Sequence, residues 1–369
     1  MLFCNGCWDK KELNQLALVQ MMAIDYDAGN YQVTLQLILP SAEKETVTGD
    51  NLWAMTGEGA SVGDAIQKIS LAAPRELYLD HLDLVLLGEG LLEQNIEQGL
   101  DYLLKENVLR RRTSLLAVQG NAGALLSNSA ELAKMDIFYI DNLLKDQSRR
   151  IYHSDAMINT YYLSVYNGIQ DTFVIPRILL DGDKDVQNMR LEGAALIQGG
   201  KLAAWADREW MLGYYWVNGG KEILTLQHDE LAHTENEAGI VGQGAAAKQH
   251  RQVVVELEKK KCRWELVSED PLKMRVTMRS DIKIISGYDS WRDSKEADAI
   301  CRQIQQLVEQ KAMLQIQNSF SQAKHNQTDA FRLGRWLYAW HPYLIQEDRW
   351  PEQFATIPIE IRLDTNIIV

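Results

Sequence analysis

Two hydrophobic rhythms alternate along this chain, one of period two and one of period 3.6, and their order outlines a fold. Val33, Leu35, Leu37 and Leu39 are interleaved with Gln32, Thr34, Gln36 and Ile38, the pattern of a strand with one buried face. The apolar run 17–25 precedes it and Tyr26–Asn30 separates the two, which predicts paired strands around a turn. Asp25 and Asp27 have the first spacing of a calcium loop. Asn30 stands where that loop needs glycine and Gln36 where it needs glutamate, so both acids are assigned to the turn.

Gly57, Gly59 and Gly63 fall one residue off the dinucleotide-binding spacing, with no βαβ frame around them. Ser61 followed by Asp64 instead predicts a capped helix start. A strand-like run over 77–87 ends at Gly88-Glu89-Gly90, which opens an amphipathic helix carrying Leu92, Ile96, Leu100 and Leu103 on one stripe. The segment 114–119 reads as a strand and 121–144 as helical, and this β–α–β–α succession predicts an α/β-like N-terminal region.

The polar run Asp181–Asn188 reads as a linker, and Gly199-Gly200 as the turn of a hairpin. Trp205, Trp210, Tyr214, Tyr215 and Trp216 then form an aromatic group that fits core packing better than a partner patch. Strands are predicted at 252–258, 272–279 and 281–286, and a long helix over 293–320 with Ile300, Ile304, Leu307, Val308 and Leu314 on one side. A final alternating run covers 356–363. The expected fold is therefore α+β and multi-lobed: an N-terminal α/β-like region, 8–185, then a C-terminal mixed sheet with a long packed helix, 190–369.

Bulk properties narrow the function. A chain of 369 residues suggests two or three domains, and a net charge of −13 disfavours binding to nucleic acid. No stretch approaches the ~18 apolar residues of a spanning helix, so membrane attachment would have to be covalent. Cys262 and Cys301, in strand-like and helix-like patterns, are expected as buried thiols. Cys4 and Cys7 form a CxxC that lacks the companions of a zinc site. On local grounds residues 1–7 are either the tail of a truncated secretory signal, with Gly6 before Cys7, or a frayed terminus.

Catalytic signals are weak. His228 and His233 are five residues apart, which rotates the second ring about 140° from the first on a helix and breaks the zinc-protease geometry. His81, inside the strand-like run 77–87, reads as a hydrogen-bonded core histidine. No catalytic residue, metal site or cofactor is expected.

Several blocks, in order, give the chain a family likeness. Gly6-Cys7-Trp8-Asp9-Lys10-Lys11-Glu12-Leu13, Ile24-Asp25, the block with His81-Leu82, Gly88-Glu89 and Arg112, the segment 193–217, and the block Asp329 to Trp350 resemble the C-subunit lipoproteins of spore germinant receptors, the GerAC type. Two departures stand out. Arg332-Leu333-Gly334 replaces the family's Gly-Phe-Gly after Phe331, and Cys4-Asn5 precedes Gly6-Cys7 where such lipoproteins carry leucine and a small residue. The resemblance implies three α+β lobes, a diacylglyceryl-modified Cys7, and a position on the outer face of the spore inner membrane. It also implies A-type and B-type membrane subunits as partners and no enzymatic activity. Two rivals follow from other classes: a solute-binding surface lipoprotein, which needs a pocket with convergent polar groups, and a surface hydrolase.

Overall fold

A computed structural model describes residues 12–40, 52–105, 113–128, 156–158, 160–161, 171–181, 188–219, 222–226, 253–286 and 297–368. The chain divides into two compact units. The first ends at Trp205, and the second starts at Ala206 and also takes in Asp171 and Thr172.

The first unit contains β1 (Leu16–Asp27), β2 (Asn30–Ile38), β3 (Leu52–Gly59), α1 (Val62–Ala72), β4 (Glu76–Tyr78), β5 (Leu84–Gly88), α2 (Glu89–Gln94) and α3 (Ile96–Lys105). It continues with β6 (Ser114–Val118), α4 (Ala122–Asn128), β7 (Phe173–Asp181), β8 (Asn188–Gln198) and β9 (Lys201–Ala206). One sheet has the order β3-β2-β1-β5-β6-β7-β8-β9, with β4 beside β1. Strands β1, β5, β6 and β7 run parallel, while β2, β3 and β8 pair antiparallel with their neighbours. The polar run Asp181–Asn188 therefore connects paired strands, and residues 190–205 complete this same sheet.

The central position of β1 accounts for its composition. Val19, Met21, Met22, Ala23 and Ile24 are all fully buried, as parallel strands covered on both faces require. The neighbouring β2 differs from its expected half-buried pattern for the same reason: Thr34 and Gln36 are inside, and Thr34 Oγ1 lies 3.0 Å from Thr56 Oγ1 on β3. The helix start at Ser61 forms as its residues predict. Ser61 Oγ accepts from Asp64 N at 3.1 Å and Asp64 Oδ2 accepts from Ala60 N at 3.0 Å, leaving no open phosphate cradle there.

Two long elements are broken. The run 77–87 is interrupted by a 3-10 turn, Leu79–His81, so His81 sits outside any strand, half-exposed and against the Tyr78 ring at 5.5 Å. The helix after Gly90 divides at Asn95, whose Oδ1 accepts from Glu97 N at 2.7 Å and restarts the chain as α3. Leu92, Ile96, Leu100 and Leu103 are nevertheless all buried. Of the helix expected over 121–144, α4 is the described part, and residues from 129 on lie outside the described residues.

The second unit contains α5 (Arg208–Asn218), β10 (Glu222–Leu226), β11 (Val253–Glu269), β12 (Leu272–Ser286), α6 (Ala297–His325), α7 (Leu333–Trp340), α8 (Trp350–Thr356) and β13 (Ile359–Ile368). Its sheet has the order β10-β11-β12-β13, antiparallel except for the parallel pair β12–β13. On α6 the buried stripe is Ile304, Val308, Ala312, Ile316 and Phe320, at four-residue spacing. Leu314, expected on that stripe, is 69% exposed, because two residues beyond Ala312 is about 200° around the helix. Cys262 is exposed on β11 and Cys301 half-buried on α6, both as free thiols, which corrects the expectation of buried ones. One face of the sheet carries ion pairs, Lys273–Glu360 at 2.6 Å, Arg275–Glu360 at 2.8 Å and Arg279–Asp364 at 3.1 Å.

Trp210, Tyr214, Tyr215 and Trp216 on α5 are buried, so core packing is the role of these four. Helix α5 lies close on α6: Trp210 Nε1 donates to Ser319 O at 3.2 Å, Ser319 Oγ donates to Trp210 O at 2.8 Å, and Trp216 Nε1 donates to Gln315 Oε1 at 3.0 Å. Gly213 makes that approach possible, since a Cβ there would overlap Ser319 Oγ and the Gln315 carbonyl. Gly213→Ala is expected to destabilise the protein by roughly 1–3 kcal/mol despite alanine's higher helix propensity, read as a lowered urea midpoint.

Candidate functional site

The residues that carried the family likeness converge on two buried carboxylates, one in each unit. Asp25 closes the apolar part of β1 and is 6% exposed. Its Oδ1 accepts from Ala122 N at 2.8 Å and its Oδ2 from Gly123 N at 2.7 Å, satisfying the first amides of α4. Asp25 is thus a strand-end cap, not a turn residue, and the calcium-like spacing with Asp27 is incidental. Burial raises its pKa while the two amide bonds pull it down. Gly88 is required beside it, because a Cβ at that position would overlap Asp25 Oδ1. The adjoining Glu89 N donates to Gly120 O at 2.9 Å.

This cluster lies at the carboxyl ends of β1, β5 and β6, the edge where open α/β sheets place ligands. Here its polar groups bind one another. Glu89 Oε1 accepts from Trp205 Nε1 at 3.0 Å, and the Arg177 guanidinium stands 5.6 Å over the Trp205 ring. Arg177 also donates to Gln119 Oε1 and to Glu192 O, both at 3.0 Å. Asp25 holds the helix amides that an anion would otherwise use. The contacts tie β7, β8 and β9 to the chain just beyond β5 and β6, and the named donors are used within the cluster.

The second carboxylate, Asp329, is 1% exposed. Its Oδ1 accepts from Leu333 N at 3.1 Å, and its Oδ2 accepts from Gly334 N at 2.6 Å and Trp350 Nε1 at 3.0 Å. The acid therefore caps α7 and pins α8 to it in one stroke. Gly334 is needed for the same contact, since a Cβ there would lie 2.6 Å from Trp350 Cε2. Burial pushes the Asp329 carboxyl up to about 7, against the pull of these donors. Nearby, buried Asp171 accepts from Arg335 at 2.8 Å, and burial raises its pKa as well. Arg332 takes the place of a family glycine in a left-handed backbone, φ 58 and ψ 31. The conformation that glycine would favour persists with arginine in it.

The other expected residues are scattered. His81 is in the 3-10 turn of the first unit, Gly57 and Gly59 are in β3, and Gly63 is in α1. Cys7, the expected lipid acceptor, lies outside the described residues, as do Cys4, Arg112, His228 and His233. Among the described residues no three His, Cys, Asp or Glu side chains form a metal-binding group, and no helix is long and apolar enough to cross a membrane. Sequence reasoning missed both caps. The available signal was one acid ending an otherwise apolar strand, and an acid four and five residues before the amides it binds.

Comparison with known proteins supplies the context. Residues 9–180 match the family model described as "Spore germination protein N-terminal domain", and 192–368 match "Spore germination B3/ GerAC like, C-terminal". Spore germination protein B3 of Bacillus subtilis (strain 168) is 36% identical over 120 residues, a match that spans 32% of each chain. Spore germination protein KC of the same organism is 23% identical over 390 residues, 98% of this chain and 91% of that one. The crystal structure of the GerBC protein superposes with a TM-score of 0.57 at 20% identity, covering 94% of this chain and 97% of that one, and establishes a shared fold.

Two outcomes follow. For Asp329 the sign is that of an acid whose folded pKa is raised. Its protonated form is favoured by folding, so that contribution is complete below pH about 4 and is lost as pH rises through about 7. The stability difference between wild type and Asp329→Asn, from urea unfolding at pH 5 and 7.5, is therefore expected to shrink at the higher pH. Arg332→Gly should stabilise the protein by about 0.5–1 kcal/mol, because glycine adopts a left-handed backbone without the Cβ penalty; the thermal midpoint reads it.

Proposed function

Because the chain belongs to the germinant receptor C-subunit family, we propose that it is a lipid-anchored, non-catalytic subunit of a spore germinant receptor. The observation that carries this reading is the ordered match of both halves, 9–180 and 192–368, to the N- and C-terminal domains of that family. The buried acids support a structural role for the family's signature residues. Asp25 and Asp329 each accept two backbone amides at a helix start, and Asp329 an indole as well. Both carboxyl groups are buried and turned onto the protein's own donors, which is the arrangement of a structural cap.

In this reading Cys7 receives a diacylglyceryl group, the chain sits on the outer face of the spore inner membrane, and A-type and B-type membrane subunits are its partners. The chemistry is consistent: one acyl chain binds a bilayer reversibly, whereas two or more hold firmly. That anchor would compensate for a surface of net charge −13, which anionic lipid does not attract. Cys7→Ala in the full-length chain is expected to move the protein from the membrane to the soluble fraction; unchanged partitioning removes the lipid-anchor claim. Calorimetry with amino acids and sugars checks the non-capturing role, and one-to-one binding at micromolar affinity or tighter would replace it with direct nutrient capture.

A further inference from the structure

Helix α7 presents two faces. Leu333, Gly334 and Leu337 are buried, while Trp340, one turn beyond Trp336 and on its side of the helix, is 69% exposed. The chain then turns through Pro342–Leu344, where Tyr343 is 68% exposed. These aromatics stand on a fixed base. Asp329 and Trp350 hold the start of α7, and Gln353 on α8 donates to Leu344 O at 2.7 Å and accepts from Gln346 N at 3.0 Å. Trp336 packs on His341 at 5.6 Å, and His341 meets Tyr343 edge-on at 6.1 Å. Rigid, exposed tryptophan and tyrosine are the side chains that contribute most to protein interfaces, because they bury much area with few rotors.

Acidic side chains border them. Tyr343 Oη donates to Glu269 at 2.8 Å, which brings the β11–β12 turn, with exposed Glu269 and Asp270, to the patch. That bond also raises the Tyr343 pKa. Glu347 and Asp348 follow in the next turn, both exposed. The flanking arginines are engaged elsewhere, Arg335 with Asp171 at 2.8 Å and Arg349 with Glu352 at 2.9 Å. An aromatic centre with an acidic rim suits a cationic partner, through charge and through cation–π contact. It is repelled by an anionic bilayer.

Resting on the receptor-subunit reading, we propose that the surface formed by Trp340, Tyr343, Glu269 and Asp270 is the docking site for a lysine- or arginine-bearing surface of a membrane subunit of the receptor. A second copy of this chain fits poorly, as the same acidic rim would face itself.

The test is co-purification of the receptor's membrane subunits with the full-length, tagged chain from detergent extracts of spore membranes. Wild type is compared with Trp340→Ala/Tyr343→Ala and with Glu269→Lys/Asp270→Lys, after matched thermal melts confirm that the variants fold. The expected result is at least tenfold less co-purified subunit for each pair, and a wild-type yield that falls between 50 mM and 500 mM salt. Undiminished recovery with both variants overturns the docking site while leaving the receptor reading intact. Failure of the wild type to recover any membrane subunit sinks the receptor reading itself. Two further results would overturn the proposal in favour of another occupant: Trp340-dependent binding to vesicles of anionic phospholipid, or a Trp340-dependent dimer in sedimentation.

Discussion

The fold of each unit depends on a carboxylate taken out of water and given to the open end of a helix. A buried acid is costly unless its oxygens are matched by donors. Asp25 meets that requirement with Ala122 N and Gly123 N, and Asp329 with Leu333 N, Gly334 N and the Trp350 indole. Each joins segments far apart in sequence, 97 residues in the first unit and 21 between Asp329 and Trp350. The requirement extends to the neighbours. Gly88 and Gly334 have no side chain because the space a Cβ would fill is occupied by Asp25 Oδ1 in one case and by the Trp350 ring in the other.

The residues that carried the family likeness share these structural duties. Gly88-Glu89 and the block Asp329 to Trp350 carried the family likeness in the sequence. In the structure they are the interior fittings of two units, with Glu89 joined to Trp205 and Asp329 to its three donors. The departure at Arg332 fits the same account. Its left-handed backbone belongs to the chain path that brings the amides of Leu333 and Gly334 back onto Asp329.

Much of the fold was legible because it follows from local periodicity. The strands β1, β2 and β6, the capped start of α1 and the stripe of α6 through Ile304 and Val308 all stand where the pattern places them. What was not legible depends on who the neighbours are. Thr34 and Gln36 look like solvent-facing positions until β2 is known to lie beside a central strand covered on both faces. Leu314 looks apolar enough for the core, yet its azimuth leaves it outside. Asp25 reads as part of a polar turn, because the amides it serves are on a helix almost a hundred residues away.

The connection between β12 and β13 differs in range from the hairpin beside it. β11 and β12 form a hairpin whose pairs span few residues near the turn, from Glu269↔Leu272 outward. β13 pairs with β12 only after α6, α7 and α8 have intervened, as in Met274↔Ile359. Loop closure over that length costs more entropy than closing a hairpin turn. The β12–β13 pairs are therefore long-range contacts whose register depends on where α6, α7 and α8 are placed, whereas the hairpin pairs near the turn are local.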